Sequence, residues 1–338
     1  MKNRKGTASR DARWRAILRI AAPAALHLAA THAIIAVPGA LASDQGMASR
    51  PAAGITPCER AAIDLRKACV DEAWSDYYVA LAYAKNLADE EERREAADEA
   101  REELREALAE CSEQYEARLD LCEELDEFRY DPEIDPGDFT NEVTNPYFPL
   151  TPGVTQIYEK ETDEGLERLI MTTLHETREI MGVECAIVQA TEFLDGELVE
   201  DTLDYFAMQI STGSVWYFGE NSLELEDGVI VSVSGSFIAG EEGAKPGIIM
   251  LGDPQVGQAH RQEFALAEAE DAGRVVAVGQ TVSIGIGDFD DGLKTEDFSP
   301  LEPGNVECKF YAPGVGLIAE FDIESGELLE LVETIVMP

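Results

Sequence analysis

Four cysteines constrain the fold of this 338-residue chain more than any other feature. Cys58 and Cys69 are eleven residues apart, and so are Cys111 and Cys122. Eleven residues turn an α-helix through about 1,100°, within about 20° of three full turns, so each pair lies on one helical face. The two pairs also mirror one another about residue 90. An antiparallel hairpin turning there sets Cys58 opposite Cys122 and Cys69 opposite Cys111. Metal ligation is the alternative for four cysteines, but structural zinc sites use short spacings of about two to four residues within each knuckle. The spacing therefore favours two disulfides and no metal, each bridge closing a long loop.

The intervening sequence supports that turn. Asn86-Leu87-Ala88-Asp89 interrupts the helical pattern, and Asp89 followed by Glu90, Glu91 and Glu92 suits a helix start, where a side chain caps free amides and acids meet the positive helix end. The predicted helices run from about Pro57 to Asn86 and from about Asp89 to Glu127. Their seam is expected to set Ala62, Leu65, Ala73, Tyr77 and Ala80 against Leu104, Ala107, Leu108, Tyr115 and Leu125. Small residues there bring the helices close but bury little apolar area, which the disulfides offset. Arg94 to Glu110 is a run of Glu, Ala and Arg with opposite charges three and four apart, read as a self-paired solvated face rather than a partner site.

Disulfides need an oxidising compartment, and the N-terminus supplies a route to one. Lys2, Arg4, Lys5, Arg10, Arg13, Arg15 and Arg19 precede an apolar run from Ile17 to Ala42 that ends in Ala40-Leu41-Ala42, the order of a secretory signal peptide. Cleavage is expected after Ala42. An uncleaved anchor is the alternative, although Pro23, His27, His32 and Pro38 interrupt the run. The next Cys is Cys58, too distant for a lipid anchor. The mature protein is thus expected to be exported, to the periplasm or outside the cell, without a membrane span. Its expected organisation is a signal peptide (1–42), a flexible N-terminus (43–56), the helical hairpin (57–128), a linker (129–144) and a β domain (145–338).

Charge narrows the partners. Removing the leader's seven basic residues and one acid from the chain's 26 and 68 leaves 19 against 67, a net charge near −48. Such a surface repels nucleic acid and anionic membranes and attracts cations. The six remaining lysines among so many acids suggest a saline habitat, where salt screens self-repulsion; a functional acidic surface for Ca²⁺ or a basic partner is the other reading.

Beyond Pro132, Pro136 and Gly137, helical periodicity gives way to alternation punctuated by turn signals. These sit at Asp163-Glu164-Gly165, Met181-Gly182, Asp195-Gly196, Thr212-Gly213, Asp227-Gly228, Ala272-Gly273, Pro313-Gly314 and Ser325-Gly326. Long antiparallel strands joined by hairpins must curl or close to hide their edges, so the fold class is α+β, the second part a calyx-like barrel or strongly curved sheet of about nine to eleven strands. Val183, Cys185, Ile187 and Phe193, with Leu203, Tyr205, Trp216 and Phe218, are its expected interior. Cys185 and Cys308 lie in matching Val-Glu-Cys triplets, and a third bridge between them competes with two buried thiols.

Asn145-Pro-Tyr-Phe-Pro-Leu-Thr-Pro-Gly153, Gly182-Val-Glu-Cys185, Asp201-Thr-Leu-Asp-Tyr205, Val215-Trp-Tyr-Phe-Gly-Glu220, Gly243-Ala-Lys-Pro-Gly-Ile248, Arg261-Gln-Glu263, Leu301-Glu-Pro-Gly304 and Tyr311-Ala-Pro-Gly-Val-Gly316 resemble an uncharacterised family of exported bacterial β-sheet proteins. The resemblance spans about residues 142 to 320 and implies export and a β-sheet domain; His260 departs from it, standing where that family has an aromatic. The N-terminal segment lies outside the match and is similar in architecture to the twin Cys-x(n)-Cys helical hairpins of small disulfide-rich proteins.

Catalytic signatures are sparse. After cleavage only His175 and His260 remain, so no multi-histidine zinc centre is available. No nucleophile elbow, phosphate loop or dinucleotide fingerprint occurs, and the acids around Phe289 lack the further ligands of a Ca²⁺ loop. The expected ligand-binding residues are Tyr205, Trp216 and Phe218, as aromatic lining, with Arg261 and Glu263 on one face of a strand; no cofactor is expected. The leading reading is a non-enzymatic extracytoplasmic binding protein for a small apolar or amphipathic ligand. Its alternatives are an envelope protein with a filled β core that binds partners through the hairpin, and a carboxylate-based hydrolase.

Overall fold

The computed structural model describes residues 54–336, so the expected signal peptide and its expected cleavage after Ala42 lie outside the described residues. Two helices, Pro57–Lys85 and Glu90–Glu124, form the antiparallel hairpin. The first starts on a capping box: Thr56 Oγ1 accepts from Glu59 N (3.1 Å) while Glu59 Oε2 accepts from Thr56 N (2.6 Å), with Pro57 in the first turn. The second starts on Asp89, whose Oδ1 accepts from Glu91 N and Glu92 N. Cys58 is bridged to Cys122 and Cys69 to Cys111, with Cα–Cα distances of 6.0 and 5.7 Å, as the register about residue 90 requires.

The buried seam repeats the cysteine spacing. Ala62, Ala73 and Ala84 are buried on the first helix, and Ala100, Cys111 and Cys122 on the second, each set stepping by eleven. That period nearly matches three turns, so the seam stays on one stripe of two almost straight helices. The larger residues expected there, Leu65, Tyr77, Leu104 and Tyr115, flank the seam half-buried. Little apolar area holds the helices together beyond the second bridge. Replacing Cys69 and Cys111 with Ala is expected to speed amide exchange across residues 70–110 at least tenfold while strands retain their protection, measured by hydrogen exchange with mass spectrometry.

A short 3-10 turn at Pro136–Asp138 leads into the strands. β1 (Phe139–Thr140), β2 (Thr144–Asn145) and β3 (Phe148–Pro149) are brief. A meander follows: β4 (Val154–Thr162), β5 (Gly165–Ile180), β6 (Val183–Leu194), β7 (Glu197–Gln209) and β8 (Val215–Glu226). The short β9 (Val229–Ser232) and β10 (Phe237–Ile238) precede β11 (Lys245–Met250), β12 (Ala259–Arg261) and β13 (Glu263–Phe264). A second meander ends the chain: β14 (Ala272–Ile284), β15 (Gly287–Phe298), β16 (Val306–Ala312), β17 (Gly316–Asp322) and β18 (Leu328–Val336). Met181-Gly182, Asp195-Gly196 and Asp227-Gly228 turn their hairpins with positive φ at both residues, as tight two-residue turns demand. Ala272-Gly273 is not a turn but the start of β14, and there the glycine serves a close approach: a Cβ on Gly273 would meet Gln262 Nε2 at 2.8 Å.

Hydrogen bonding orders the sheet β12-β14-β15-β16-β17-β18-β4-β5-β6-β7-β8-β11-β13. Both ends of that order belong to one stretch of chain, because only Gln262 separates β12 from β13. The segment pairs with β14 through Ala259–Arg261 and with β11 through Glu263 and Phe264, so an antiparallel barrel nearly closes along it. At the crossing a bulge gives Gln262 N and Glu263 N one shared acceptor, Asp271 O, at 2.8 and 3.1 Å.

Both faces of β6–β8 are buried. Ala186, Val188, Phe206, Val215 and Tyr217 meet Val275, Leu293 and Tyr311 from the opposite arc of the barrel, and so mark the interior. Val183, Cys185, Ile187, Tyr205, Trp216 and Phe218 point the other way, into a second core covered by Ile134, Phe139 and Ala239. The expected interior is therefore the outer face of these strands, roofed by the linker segment. Cys185 and Cys308 are free and buried, correcting the third bridge. Four strands separate β6 from β16 in the order, about 20–25 Å along the sheet, against the roughly 7 Å limit between Cα atoms of a disulfide.

The hairpin is fastened by its root over the barrel's seam. Arg118 binds Glu270 through Nε (3.0 and 3.1 Å) and Nη2 (2.8 Å), and Arg261 Nε binds Glu127 at 2.7 Å. Arg274 reaches Glu124, Gln114 Nε2 donates to Leu301 O, and Tyr130 Oη donates to Pro246 O. The helices thus cover the place where the sheet nearly closes through a single short segment.

Candidate functional site

An open pocket of about 470 Å³ lies beside β8 at the mouth of the barrel. Its position follows from Gly219, whose φ of +134° and missing side chain let β10 pack directly on β8; a Cβ there would meet Phe237 O at 2.2 Å. The register between β7 and β8 shifts at the same place, between Tyr205 and Phe206. Two tight loops wall the pocket. One runs 238–244, where Ala244 N donates to Glu241 O and Gly240 N to Ala244 O; the other runs 265–269, where Ala265 and Ala269 exchange both backbone hydrogen bonds.

The lining is amphipathic and carries one sign of charge. Glu220, Glu241, Glu242 and Glu268 bring four carboxylates beside Phe237, Ile238, Ala244, Ala265 and Leu266. Asn221 and Ser236 add neutral polar groups. Asn221 is fixed from outside the pocket: its Oδ1 accepts from Tyr205 Oη and from Arg178 Nη1, each at 2.7 Å, and Arg178 lies 4.5 Å from the centroid of the Tyr205 ring. Ser236 Oγ bridges to the backbone of Ser222.

Beneath Glu220 the acids continue into the barrel. Asp204 faces Glu220 across the β7–β8 ladder and accepts the hydroxyl of Tyr217. Glu263 and Asp271, brought in at the bulge, complete the group. Burial pushes Asp204 up to about 7, with the Tyr217 hydroxyl pulling the other way. Burial and the neighbouring Asp204 raise Glu220 to about 8. Glu263 stands well above the usual carboxylate range, from burial and then the charges of Asp271, Glu220 and Asp204. No ion pair is made by Asp204, Glu220, Glu263 or Asp271 among the described residues; Lys309, the nearest cation in effect, is shared by Asp297, Glu307 and Glu320. The site is a set of crowded, undercompensated carboxyls with an apolar wall.

The sequence-predicted residues separate around this site. Trp216 and Phe218 fill the outer core, Trp216 lying 6.0 Å and Phe218 5.5 Å, centroid to centroid, from Phe139. Tyr205 shares that core but holds Asn221 with its hydroxyl. Arg261 and Glu263 do not share a face, because the bulge intervenes: Arg261 turns to Glu127 of the hairpin root, while Glu263 joins the buried acids. Glu220, Glu241, Glu242 and Glu268 were not singled out by sequence, where acids are everywhere; the one signal was Gly219 inside an aromatic strand. His260 is half-buried, its two ring nitrogens are enclosed, and desolvation lowers its pKa. No group of three or more His, Cys, Asp or Glu side chains among the described residues could hold a metal ion.

No protein-family model matches the sequence, and no curated protein does. Among solved structures the chain is similar to a "putative lipoprotein" from Parabacteroides distasonis ATCC 8503, with 13% identity over 56% of this chain and 98% of that one and a TM-score of 0.30. A likeness that loose says nothing about function. The two disulfides are the mark of an extracytoplasmic protein, and no helix among the described residues is long and apolar enough to cross a membrane.

Proposed function

We propose that this chain is a non-enzymatic extracytoplasmic binding protein whose β domain takes a small amphipathic ligand with a cationic head. The observation that carries the reading is the mouth pocket, where four carboxylates stand beside an apolar wall in a volume suited to a small molecule. An ammonium or guanidinium group entering it gains charge-assisted hydrogen bonds from carboxylates in a partly desolvated setting, while an alkyl or aryl tail covers Phe237 and Leu266. A purely apolar ligand would leave the acids desolvated and unpaired, at a cost. Of the residues expected from sequence, Glu263 contributes to the field beneath the pocket and Tyr205 orients Asn221 at its rim.

Hexylammonium, hexanol and hexanoate share a tail and differ in charge, so they test the reading by calorimetry and native mass spectrometry. Hexylammonium is expected to bind one per chain, hexanol weakly and hexanoate not at all. Glu220→Gln combined with Glu241→Gln is expected to weaken hexylammonium binding at least tenfold, the equivalent of about 1.4 kcal/mol. Equal binding of hexanoate, or undiminished binding to the double variant, refutes the proposal.

A further inference from the structure

We propose that the turn end of the helical hairpin is a docking tip for a polypeptide partner that presents arginine or lysine among apolar side chains. Trp74, Tyr77 and Tyr78 form a ring cluster on the first helix, with centroids 5.6–5.8 Å apart. Trp74 is 39% exposed and Tyr78 62%, and Val79 (51%) and Tyr83 (75%) extend the exposed apolar surface toward the turn. Nothing in a helix of this composition requires large aromatics on its solvent side, since the hairpin's own seam is built from alanines.

Position and rigidity fit docking. The contacts that fasten the hairpin to the barrel cluster at Cys58 and from Gln114 onward, whereas Tyr83 lies 25 residues along the helix from Cys58, about 37 Å at the helical rise. The Cys69–Cys111 bridge sits between root and tip. An already ordered tip loses little conformational entropy on binding.

Charge selects the partner. Asp71 stands one turn before Trp74, and Glu72 and Asp76 share the helix face of Val79 and Tyr83, so carboxylates and aromatic rings alternate along the exposed surface. Between residues 71 and 106 there are 13 acids and five bases. A guanidinium stacks on an indole or phenol ring while bonding a neighbouring carboxylate, and Trp, Tyr and Arg dominate the energetics of protein interfaces. The chain uses the same chemistry internally, with Arg66 4.9 Å from the Tyr115 ring centroid. A second copy of this chain would bring acids against acids, and an anionic bilayer is repelled likewise. This surface is separate from the mouth pocket and does not depend on its occupancy.

The test uses a twelve-residue peptide alternating Arg with Leu, its Glu-for-Arg analogue, and zwitterionic vesicles, at about 0.15 M salt to suppress non-specific attraction. Fluorescence anisotropy of labelled peptide is expected to show binding by the Arg peptide alone, weakened at least tenfold in Trp74→Ala/Tyr78→Ala and at least threefold in Asp71→Asn/Asp76→Asn. Far-ultraviolet circular dichroism confirms that the variants keep their helices. Trp74→Ala/Tyr78→Ala is expected to bind hexylammonium as the parent does, which separates the tip from the pocket. Equal Arg-peptide binding by the tip variants, binding of the Glu peptide, tip-dependent binding to vesicles, or tip-dependent self-association in sedimentation velocity each overturns the proposal.

Discussion

Arg118→Met lowers the free energy of unfolding by about 3–5 kcal/mol. Arg118 and Glu270 are 6% and 2% exposed, and the guanidinium meets the carboxylate through two nitrogens. Glu270 Oε1 also accepts from Ala267 N at 2.8 Å, so the acid stays held in place when the arginine is gone. What remains is a buried carboxylate without a counter-ion, and that is costly even where the intact pair contributes little net stability. Adding Glu270→Gln to Arg118→Met is therefore expected to recover at least half of the loss, because the amide keeps the Ala267 bond without the charge. Urea unfolding followed by tyrosine fluorescence and by circular dichroism at 222 nm reads both effects. A loss below about 1 kcal/mol for the single variant, within the range of an exposed pair, would show that the root is not docked as described.

Stability falls as pH rises from about 4 to about 8, and Asp204→Asn removes much of that fall. The sign follows from the raised carboxyls. Asp204 stands at about 7 in the fold against an ordinary 3.8, and Glu220 at about 8 against 4.5. Between the ordinary and raised values the folded state holds protons that the unfolded chain has released, so the stabilisation present below about pH 4 is lost on passing up to about pH 8. Asp204→Asn keeps an acceptor for Tyr217 and cannot ionise. It is expected to raise stability at pH 8 by about 2–4 kcal/mol, or about 5–10 °C in Tm, and to be near neutral at pH 4. The comparison of variant with parent matters, since general repulsion among surface acids also grows with pH. Ligand binding carries the same linkage: a cationic head in the mouth pocket favours ionised carboxylates, so hexylammonium affinity rises from pH 6 to pH 8.5 with release of protons. A pH-independent difference between parent and Asp204→Asn would sink the idea that the acids share one buried field.

The hairpin was legible because its determinants are local or arithmetic. Cysteines stepping by eleven, a Thr56–Glu59 capping box and Asp89 before three glutamates specify two helices and their register without reference to the rest of the chain. The Asp-Gly turns were legible for a similar reason, positive φ being a requirement of the two residues themselves. Ala272-Gly273 misled because its glycine answers a contact with Gln262, a neighbour across the seam that no local signal reveals.

Period two along β6–β8 established alternation but not which face looks inward, since the linker residues Ile134 and Phe139 bury the outer face as thoroughly as the barrel buries the inner one. Matching Val-Glu-Cys triplets could not show that four strands separate Cys185 from Cys308, and Arg261 could not be matched to Glu127, 134 residues away, before the hairpin was seated on the seam. The mouth pocket came last of all. Its four acids are unremarkable among 68 in the chain, and become a site only where Gly219 admits β10 and two loops close around them. Sequence by itself determined the elements whose geometry is set within a few residues or by covalent bridges, together with the excess of negative charge. Tertiary structure alone decided which faces, partners and carboxylates meet, because burial on both sides of a strand erases the pattern from which a sequence is read.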